Sequence, residues 1–264
     1  MATRVKIVSK KKFKNPVLIT GLPGIGLVGK ICVDYLLKQF KPEKIALVMS
    51  DSFPPSVHTQ NGLIGVIQDE IFYCKISQRD FLFLAGPVQP LLDARSTASA
   101  EHYEFSESLI KAVHALGVRQ IFTLAGINVG NQRLTSEPHV VVSATSKKLL
   151  DEFKKFGAFS SKGDGLISGA AGLLLGLGKE HGIEGVCLMG ETSVSLVYGD
   201  HGAAKKVLEL LTRRFGWKIN MKAIETESKN IELAFSQLTK QLEEQQEAQI
   251  AGDKPGPGGL TYVR

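Results

Sequence analysis

The segment ITGLPGIGLVGKI, residues 19–31, decides how the fold is interpreted, because its glycines match two nucleotide-binding motifs. Gly24, Gly26 and Gly29 have the G-x-G-x-x-G spacing of dinucleotide-binding folds. Gly24 and Gly29, with the lysine that follows, also give G-x-x-x-x-G-K, which is close to a phosphate-binding loop. Such a loop needs Ser or Thr after the lysine as a magnesium ligand, and Ile31 stands there. The second motif is therefore a poor match.

The G-x-G-x-x-G spacing has two interpretations. In a dinucleotide site, Gly24 would form the turn, Gly26 would let the pyrophosphate approach, and Gly29 would pack the helix on the strand. Asp51, at the end of KIALVMSD, lies at about the right separation in sequence to meet a ribose hydroxyl. In the other interpretation, the glycines only shape a strand-to-helix turn that Pro23 helps to fix. We favour the structural turn, because a lone motif of this kind is weak evidence for a ligand.

Two amide side chains follow predicted strands in loops of small residues. Gln89 lies in AGPVQP and Asn128 lies in AGINVG. The carboxyl ends of parallel strands form the usual ligand crevice of an open α/β sheet, so both amides could line such a crevice with the glycine loop. Alternatively, Gln89 and Asn128 satisfy backbone groups of their loops.

The segment GETSVSLVYGDHG, residues 190–202, contains the residue types of a Ser-His-Asp catalytic triad close together in sequence. Ser193 or Ser195 would be the nucleophile beside His201 and Asp200, but no G-x-S-x-G elbow is present. We expect Asp200 to cap the following helix instead. The histidines and cysteines lack metal-ligand spacing, so we expect no metal, no cofactor and no catalytic set.

Apolar runs alternate with helical patterns through most of the 264 residues. This alternation predicts an α/β fold with a mixed, mostly parallel sheet flanked by helices. The antiparallel part is predicted from GLIGVIQDEIFYCKIS, residues 62–77, as a hairpin with its turn at the acidic pair Asp69 and Glu70.

The remaining composition limits the classes of protein. The net charge is +6, and we interpret the basic run KIVSKKKFK, residues 6–14, as a solvated edge with no nucleic-acid partner. The longest apolar run, residues 165–178, is shorter than the roughly 20 residues that span a bilayer. The three cysteines are widely separated, which is typical of a reducing compartment. We expect a cytoplasmic protein without a membrane partner.

The pattern changes after residue 219. Residues 220–251 contain no glycine or proline and carry an apolar stripe with helical spacing. The stripe consists of Ile231, Phe235, Leu238 and Leu242. It predicts a C-terminal helix that packs on its own domain or on the same helix of another copy. Residues 252–264 begin with a linker rich in glycine and proline. We therefore predict an α/β domain over 1–219, a helix over 220–251 and a flexible tail over 252–264.

Four motifs in this order resemble the proteasome assembly chaperone family, in particular its archaeal homo-oligomeric members. They are GLPGIGLVG (21–29), GPVQP (86–90), GDGLISGAAGLLLGLG (163–178) and GVCLMGET (185–192). The resemblance covers about residues 15–215. It implies an α/β fold similar to nucleoside phosphorylases but without a recognised catalytic set. It also implies a homo-oligomer that acts as an assembly chaperone or activator and is not an enzyme.

The same resemblance implies a role for the last residues. Some archaeal members end in a hydrophobic residue, tyrosine and any residue, and this ending docks between α-subunits of the 20S proteasome. The residues of this sequence that would bind there are Leu260, Tyr262, Val263 and Arg264. Tyr262 is third from last, one position earlier than in that pattern. The alternative function is a nucleoside- or nucleotide-binding enzyme that uses the glycine loop, Asp51, Gln89 and Asn128.

Overall fold

Ten β-strands form the framework of the computed structural model, which describes residues 3–90, 98–161, 163–224 and 226. They are β1 (Thr3–Ile7), β2 (Val17–Thr20), β3 (Glu43–Ser50), β4 (Val57–Gln60), β5 (Leu63–Val66), β6 (Asp69–Ile76), β7 (Arg79–Ala85), β8 (Gln120–Asn128), β9 (Val140–Ala144) and β10 (Glu184–Thr192). Eight of them form one sheet in the order β1-β3-β6-β7-β2-β8-β10-β9, while β4 and β5 pair only with each other.

The large sheet is mixed, as predicted, but its parallel part is smaller than the mostly parallel sheet that we expected. Strands β7, β2, β8 and β10 are parallel neighbours. All other pairs in the large sheet are antiparallel. For β6 and β7 the reason is local, because a two-residue turn at Ser77 and Gln78 joins them, and a connection that short allows only antiparallel pairing.

The predicted hairpin turn at the acidic pair is wrong. Asp69 and Glu70 open strand β6, where Glu70 is in register with Ala85 of β7. The turn lies earlier, between β4 and β5, at Asn61 and Gly62, which both have positive φ (52° and 80°). Asn-Gly is the preferred pair for a tight turn of this kind.

Helices cover both faces of the large sheet. They are α1 (Val28–Phe40), α2 (Ala98–Ala115), α3 (Gln132–Thr135), α4 (Lys147–Lys155), α5 (Ala170–Glu180) and α6 (His201–Phe215). Helices α1, α4 and α6 pack on one face, where Phe122 of β8 is buried. Helices α2 and α5 pack on the other, where the neighbouring Ile121 is buried. The side chains of one strand thus alternate between two cores, as expected for a sheet with covered faces.

The basic N-terminal region contains a strand that the charge pattern did not predict. Strand β1 forms the edge of the sheet beside β3. The Thr3 hydroxyl and backbone N–H both donate to the carboxylate of Glu104 on α2, at 2.6 and 2.7 Å. Charged side chains on an edge strand are a common protection against pairing with other chains.

Only the start of the predicted C-terminal helix falls within the described residues. Residues 221–224 are helical, and Ile224 is buried against the core formed by α1 and α6. The hydroxyl of Tyr35 donates to the carbonyl of Asn220. The stripe from Ile231 to Leu242 and the tail of residues 252–264 lie outside the described residues, so the division into three segments stays a prediction. In the part that the structure describes, no helix has the length and hydropathy needed to cross a bilayer.

Candidate functional site

A cleft of about 220 Å³ opens at the carboxyl ends of β2 and β8. The glycine loop, the loop after β7 and the amino end of α5 complete its walls. The structure brings four of the predicted crevice residues to this cleft: Gly24, Gly29, Gln89 and Asn128. Asp51 lies elsewhere, because β3 is separated from β2 by β6 and β7. Its half-exposed carboxylate lies 3.8 Å from the guanidinium of Arg4.

The lining of the cleft is uncharged and largely apolar. Among the described residues that form it, none is Lys, Arg, Asp, Glu or His. The polar groups are the hydroxyls of Thr20, Thr123 and Ser168, besides the two amides. A phosphate is usually held by cationic side chains, and this lining contains none, so it suits a neutral group better than a nucleotide.

The glycine loop packs tightly on the chain around it. Gly26 has a left-handed φ of +59°, and a Cβ on it would come 2.2 Å from Oγ1 of Thr192. A Cβ on Gly21 would come 2.0 Å from the carbonyl oxygen of Gly29, and one on Gly29 would come 2.0 Å from that of Leu124. Side chains at these positions would push the loop away from β8 and β10. The contacts support the interpretation of the loop as a structural turn.

The amino end of α1, where a dinucleotide pyrophosphate would bind, is covered by the loop of residues 193–200. The N–H of Asp200 donates to the carbonyl of Gly26 at 2.8 Å. A Cβ on Gly199 would come 2.6 Å from Cδ1 of Ile31. Thr192 and this loop fill the space beside Gly26. In a dinucleotide site the pyrophosphate would approach Gly26 there, whereas here the protein's own chain occupies that space.

Gln89 and Asn128 both bond to the loop backbone. The Gln89 amide nitrogen donates to the carbonyl of Pro23, and its oxygen accepts from the N–H of Ala170 at 3.3 Å. Gln89 therefore joins the glycine loop to the start of α5. The Asn128 oxygen accepts from the N–H groups of Gly130 and Val194, at 3.1 and 3.3 Å. Through these hydrogen bonds, the two amide side chains hold neighbouring loops together at the edge of the cleft.

Asp200 caps α6, as predicted, by accepting a hydrogen bond of 2.9 Å from the N–H of Ala203. Its two oxygens also accept from Nε and Nη2 of Arg133, at 2.7 and 2.8 Å. The side chains of this pair are 2% and 14% exposed, respectively. Charge-assisted bidentate bonds of this kind fix geometry strongly. They give Asp200 a structural role that joins α3 to α6.

Asp69, which the sequence analysis placed in a turn, is an unusual buried group at the start of β6. Its side chain is fully buried, and its Oδ1 packs on Gly86, where a Cβ would come 1.6 Å away. No side-chain donor in the described part of the chain hydrogen-bonds to either oxygen. Burial raises the pKa of this carboxyl to about 8, although the Val88 N–H and the charge of Lys30 act in the opposite direction. The only sequence signal was a carboxylate at the start of an apolar strand.

Comparisons with known proteins give a consistent result. The profile of the PAC2 family matches residues 18–239. An uncharacterized protein of Methanocaldococcus jannaschii, MJ1210, is 33% identical over the full length of both chains. The crystal structure of Pyrococcus furiosus PbaB, an archaeal proteasome activator, is 30% identical with a TM-score of 0.81 and covers 90% of this chain and 99% of PbaB.

A second solved structure supports the fold alone. Pyrococcus furiosus PbaA, an archaeal homolog of proteasome-assembly chaperone, is 21% identical with a TM-score of 0.74. The similarity covers 96% of this chain and 98% of PbaA. Since the family profile spans most of the sequence and the fold agrees over nearly the whole chain, the protein belongs to the PAC2 family.

Proposed function

We propose that this protein is a non-enzymatic cytoplasmic factor that binds the 20S proteasome and promotes its assembly or its activity. The observation that carries the proposal is the similarity to PbaB, a proteasome activator, which is 30% identical and extends over 99% of the PbaB chain. Because the two proteins share a fold and have comparable lengths, both can present the same arrangement of strands and helices to a partner.

The geometry of the cleft agrees with a role other than catalysis. Asp200 is engaged by Arg133 and by the start of α6, and Gln89 and Asn128 bond to the loop backbone. These contacts of Asp200, Gln89 and Asn128 stabilise the fold.

In this proposal the tail is the docking element. The ring of Tyr262 fills an apolar groove between α-subunits, flanked by Leu260 and Val263, and the carboxylate of Arg264 meets a lysine of the ring. The protein forms a homo-oligomer in which helices carrying Ile231, Phe235, Leu238 and Leu242 pair between copies. Once one tail of an oligomer has docked, the effective concentration of the other tails at the ring is raised. Several tails that each bind weakly can therefore bind the proteasome ring firmly.

The experiment is a binding measurement with purified archaeal 20S proteasome. The full chain is compared with one that lacks residues 260–264, and Tyr262→Ala is compared with Thr261→Ala as the matched neighbouring control. Loss of binding with the deletion and with Tyr262→Ala, but not with Thr261→Ala, is the expected result. Unchanged binding by the deleted chain would contradict docking through the tail.

The alternative function, a nucleoside- or nucleotide-binding enzyme, has the cleft itself in its favour. Gly24 faces open space, with no atom within 4 Å of a Cβ built on it. Thermal unfolding with nucleosides and nucleotides, with and without magnesium, tests this alternative. A ligand that binds only the native state at a hundred times its dissociation constant adds about 2.7 kcal/mol to stability. We expect no shift of that size.

A further inference from the structure

A second concave site, a groove of about 520 Å³, lies at the edge of the sheet opposite the cleft. It surrounds the turn that joins β6 to β7 and reaches the last residues of α6. Because β7 runs parallel to β2, the amino end of β7 lies at the opposite edge from the carboxyl end of β2, which borders the cleft. Among the described residues, the groove and the cleft share no lining residue.

Four cationic side chains from four segments line this groove, which we call the basic groove. They are Lys14 before β2, Lys75 of β6, Arg79 of β7 and Arg214 of α6. Arg214 pairs with Glu152 of α4, at 3.0 Å between Nε and Oε1. The other three cationic side chains form no ion pair with a carboxylate in the described part of the chain.

Of the described residues that line the basic groove, Asp80 alone carries a carboxylate. Its Oδ2 accepts from the backbone N–H of Lys14 at 2.8 Å, and its Oδ1 accepts from the hydroxyl of Tyr73 at 3.1 Å. This carboxylate is buried and is already hydrogen-bonded within the protein. The lining therefore keeps an excess of positive charge, which attracts a ligand with several negative charges.

The cationic groups are spread around the edge of the sheet. In the register of β6 and β7, Lys75 lies opposite Asp80, and the next pair is Ile76 with Arg79. Because successive pairs point to opposite faces, Lys75 and Arg79 extend from opposite faces of the sheet. This arrangement suits a ligand whose negative charges are separated along a chain better than one compact phosphate.

The two guanidinium groups lie against the same aromatic ring. The guanidinium carbons of Arg79 and Arg214 are 5.8 and 5.3 Å from the centroid of the Phe215 ring. A guanidinium held on a ring is oriented before a ligand arrives, and its planar fork matches the two oxygens of a carboxylate. The other ring in the lining, Phe81, is buried, so neither ring offers a free face on which a nucleic-acid base could stack.

The positive charge continues beyond the basic groove along the N-terminal segment. Residues 6–14 contain five lysines and no acidic residue. Lys11 connects this run with the groove, because its ammonium group lies 5.3 Å from the centroid of the Tyr73 ring, and the hydroxyl of Tyr73 donates to Asp80. The positively charged surface is therefore longer than the groove itself and matches an extended anionic chain.

We propose that the basic groove binds an acidic segment of a partner protein, in which Asp and Glu side chains are spaced along an extended chain. One carboxylate pairs with Arg79 on the face that carries α6, and others pair with Lys75 and the Lys14 side chain around the edge of the sheet. This site does not depend on the proposed function, since it requires neither the tail of residues 260–264 nor the 20S proteasome.

The first test measures binding of a fluorescent oligoglutamate peptide to the full chain by anisotropy at low ionic strength. An oligoglutamine peptide of the same length is the matched control. We expect the oligoglutamate peptide to bind with an affinity that falls as salt is added, and the oligoglutamine peptide not to bind. Absence of oligoglutamate binding, or equal binding of both peptides, would overturn the proposal.

The second test locates the binding site. Arg79→Glu should raise the dissociation constant of the oligoglutamate peptide by at least about tenfold, because it reverses a charge in the basic groove. Lys179→Glu, at an exposed position in the last turn of α5, makes a charge reversal away from the groove and should change the constant by less than about threefold. Unchanged affinity of the Arg79 variant, or an equal loss in both variants, would overturn the proposal.

A second substitution separates loss of the site from misfolding. Lys75 is exposed, so Lys75→Gln should keep the circular dichroism spectrum and melting temperature of the parent chain while it weakens peptide binding. Deletion of residues 260–264, which tests the proposed function, should leave the affinity for the peptide unchanged. A Lys75→Gln chain with the parent affinity would contradict the proposed site.

Competition distinguishes a carboxylate ligand from other anions. Inorganic phosphate should displace the oligoglutamate peptide no more than sodium chloride of the same ionic strength. A single-stranded oligothymidylate with the same number of negative charges should bind more weakly than the peptide, because the groove offers no ring for stacking. Specific displacement by phosphate, or tighter binding of the oligothymidylate, would overturn the assignment to an acidic protein segment.

Discussion

Gly26 lies against the side chain of Thr192, so close that a Cβ on the glycine would come 2.2 Å from Oγ1 and 2.9 Å from Cγ2. The glycine belongs to the loop that enters α1, and the threonine ends β10. The contact joins two segments that are far apart in sequence at the carboxyl edge of the sheet. It explains the second glycine of the G-x-G-x-x-G spacing by packing within the protein.

Gly26→Ala should destabilise the fold by about 2 to 4 kcal/mol, because the new methyl group overlaps Thr192 and the backbone has a φ of +59°. Denaturant unfolding measures the loss. Gly24→Ala is the matched control, because the space around that glycine is open and its backbone is extended. Adding Thr192→Ala to the Gly26→Ala variant should restore part of the lost stability, because it removes the overlapping side chain. The backbone strain at residue 26 should remain. Equal effects of the two glycine substitutions would contradict this account.

Arg133→Ala should cost about 3 kcal/mol, because it leaves the buried carboxylate of Asp200 without its guanidinium. Arg133→Lys should lose part of this amount, since an ammonium group does not reproduce the two parallel hydrogen bonds. The comparison is Lys206→Ala, which breaks an exposed ion pair with Glu137 and should cost less than about 1 kcal/mol. If the Arg133 and Lys206 variants unfold at the same denaturant concentration, the bidentate pair does not have the proposed role.

Asp69→Asn should stabilise the protein by an amount that grows as the pH rises from about 4 to about 8. The pKa of this carboxyl is about 8 in the folded protein, against an ordinary value of 3.8. Between these values the unfolded chain ionises while the folded chain stays protonated. The stability of the parent chain therefore falls with rising pH, by at most about 1.4 kcal/mol per pH unit, and the asparagine variant lacks this loss.

The measurement is the difference in unfolding free energy between Asp69→Asn and the parent chain at several pH values. Below about pH 4 both states of the parent chain are protonated at this site, and above about pH 8 both are ionised, so the difference should be flat outside the window. Asp164→Asn, at an exposed position, serves as the control for the loss of a carboxyl group. A pH-independent difference for Asp69→Asn would show that the buried carboxyl is already ionised at neutral pH.

The sequence predicted local structure well where hydrophobic periodicity was strong. Helix α6 and its cap at Asp200 appear as expected, and so does strand β8 before the loop of Asn128. The position of the hairpin turn was wrong because the acidic pair at Asp69 looked like a solvated turn, whereas the Asn-Gly pair at residues 61 and 62 makes it. A fully buried aspartic acid is rare, and no local pattern indicates it.

The candidate site was harder to predict, because it depends on strand order. Asp51 has the right sequence separation for a dinucleotide site, but two strands, β6 and β7, lie between β3 and β2. Glycine spacing is the same whether a ligand or the protein itself occupies the space beside the loop. At Gly26, the position of Thr192 in three dimensions favours the structural turn.

The measurement that tests the central claim most directly is binding of the full chain to purified archaeal 20S proteasome, compared with a chain that lacks residues 260–264. The account predicts that the full chain binds and that binding is lost with the five residues. Binding that survives the deletion would contradict docking through the tail and move the interface to the α/β domain or the C-terminal helix. Absence of binding by both chains would contradict the proposed function itself.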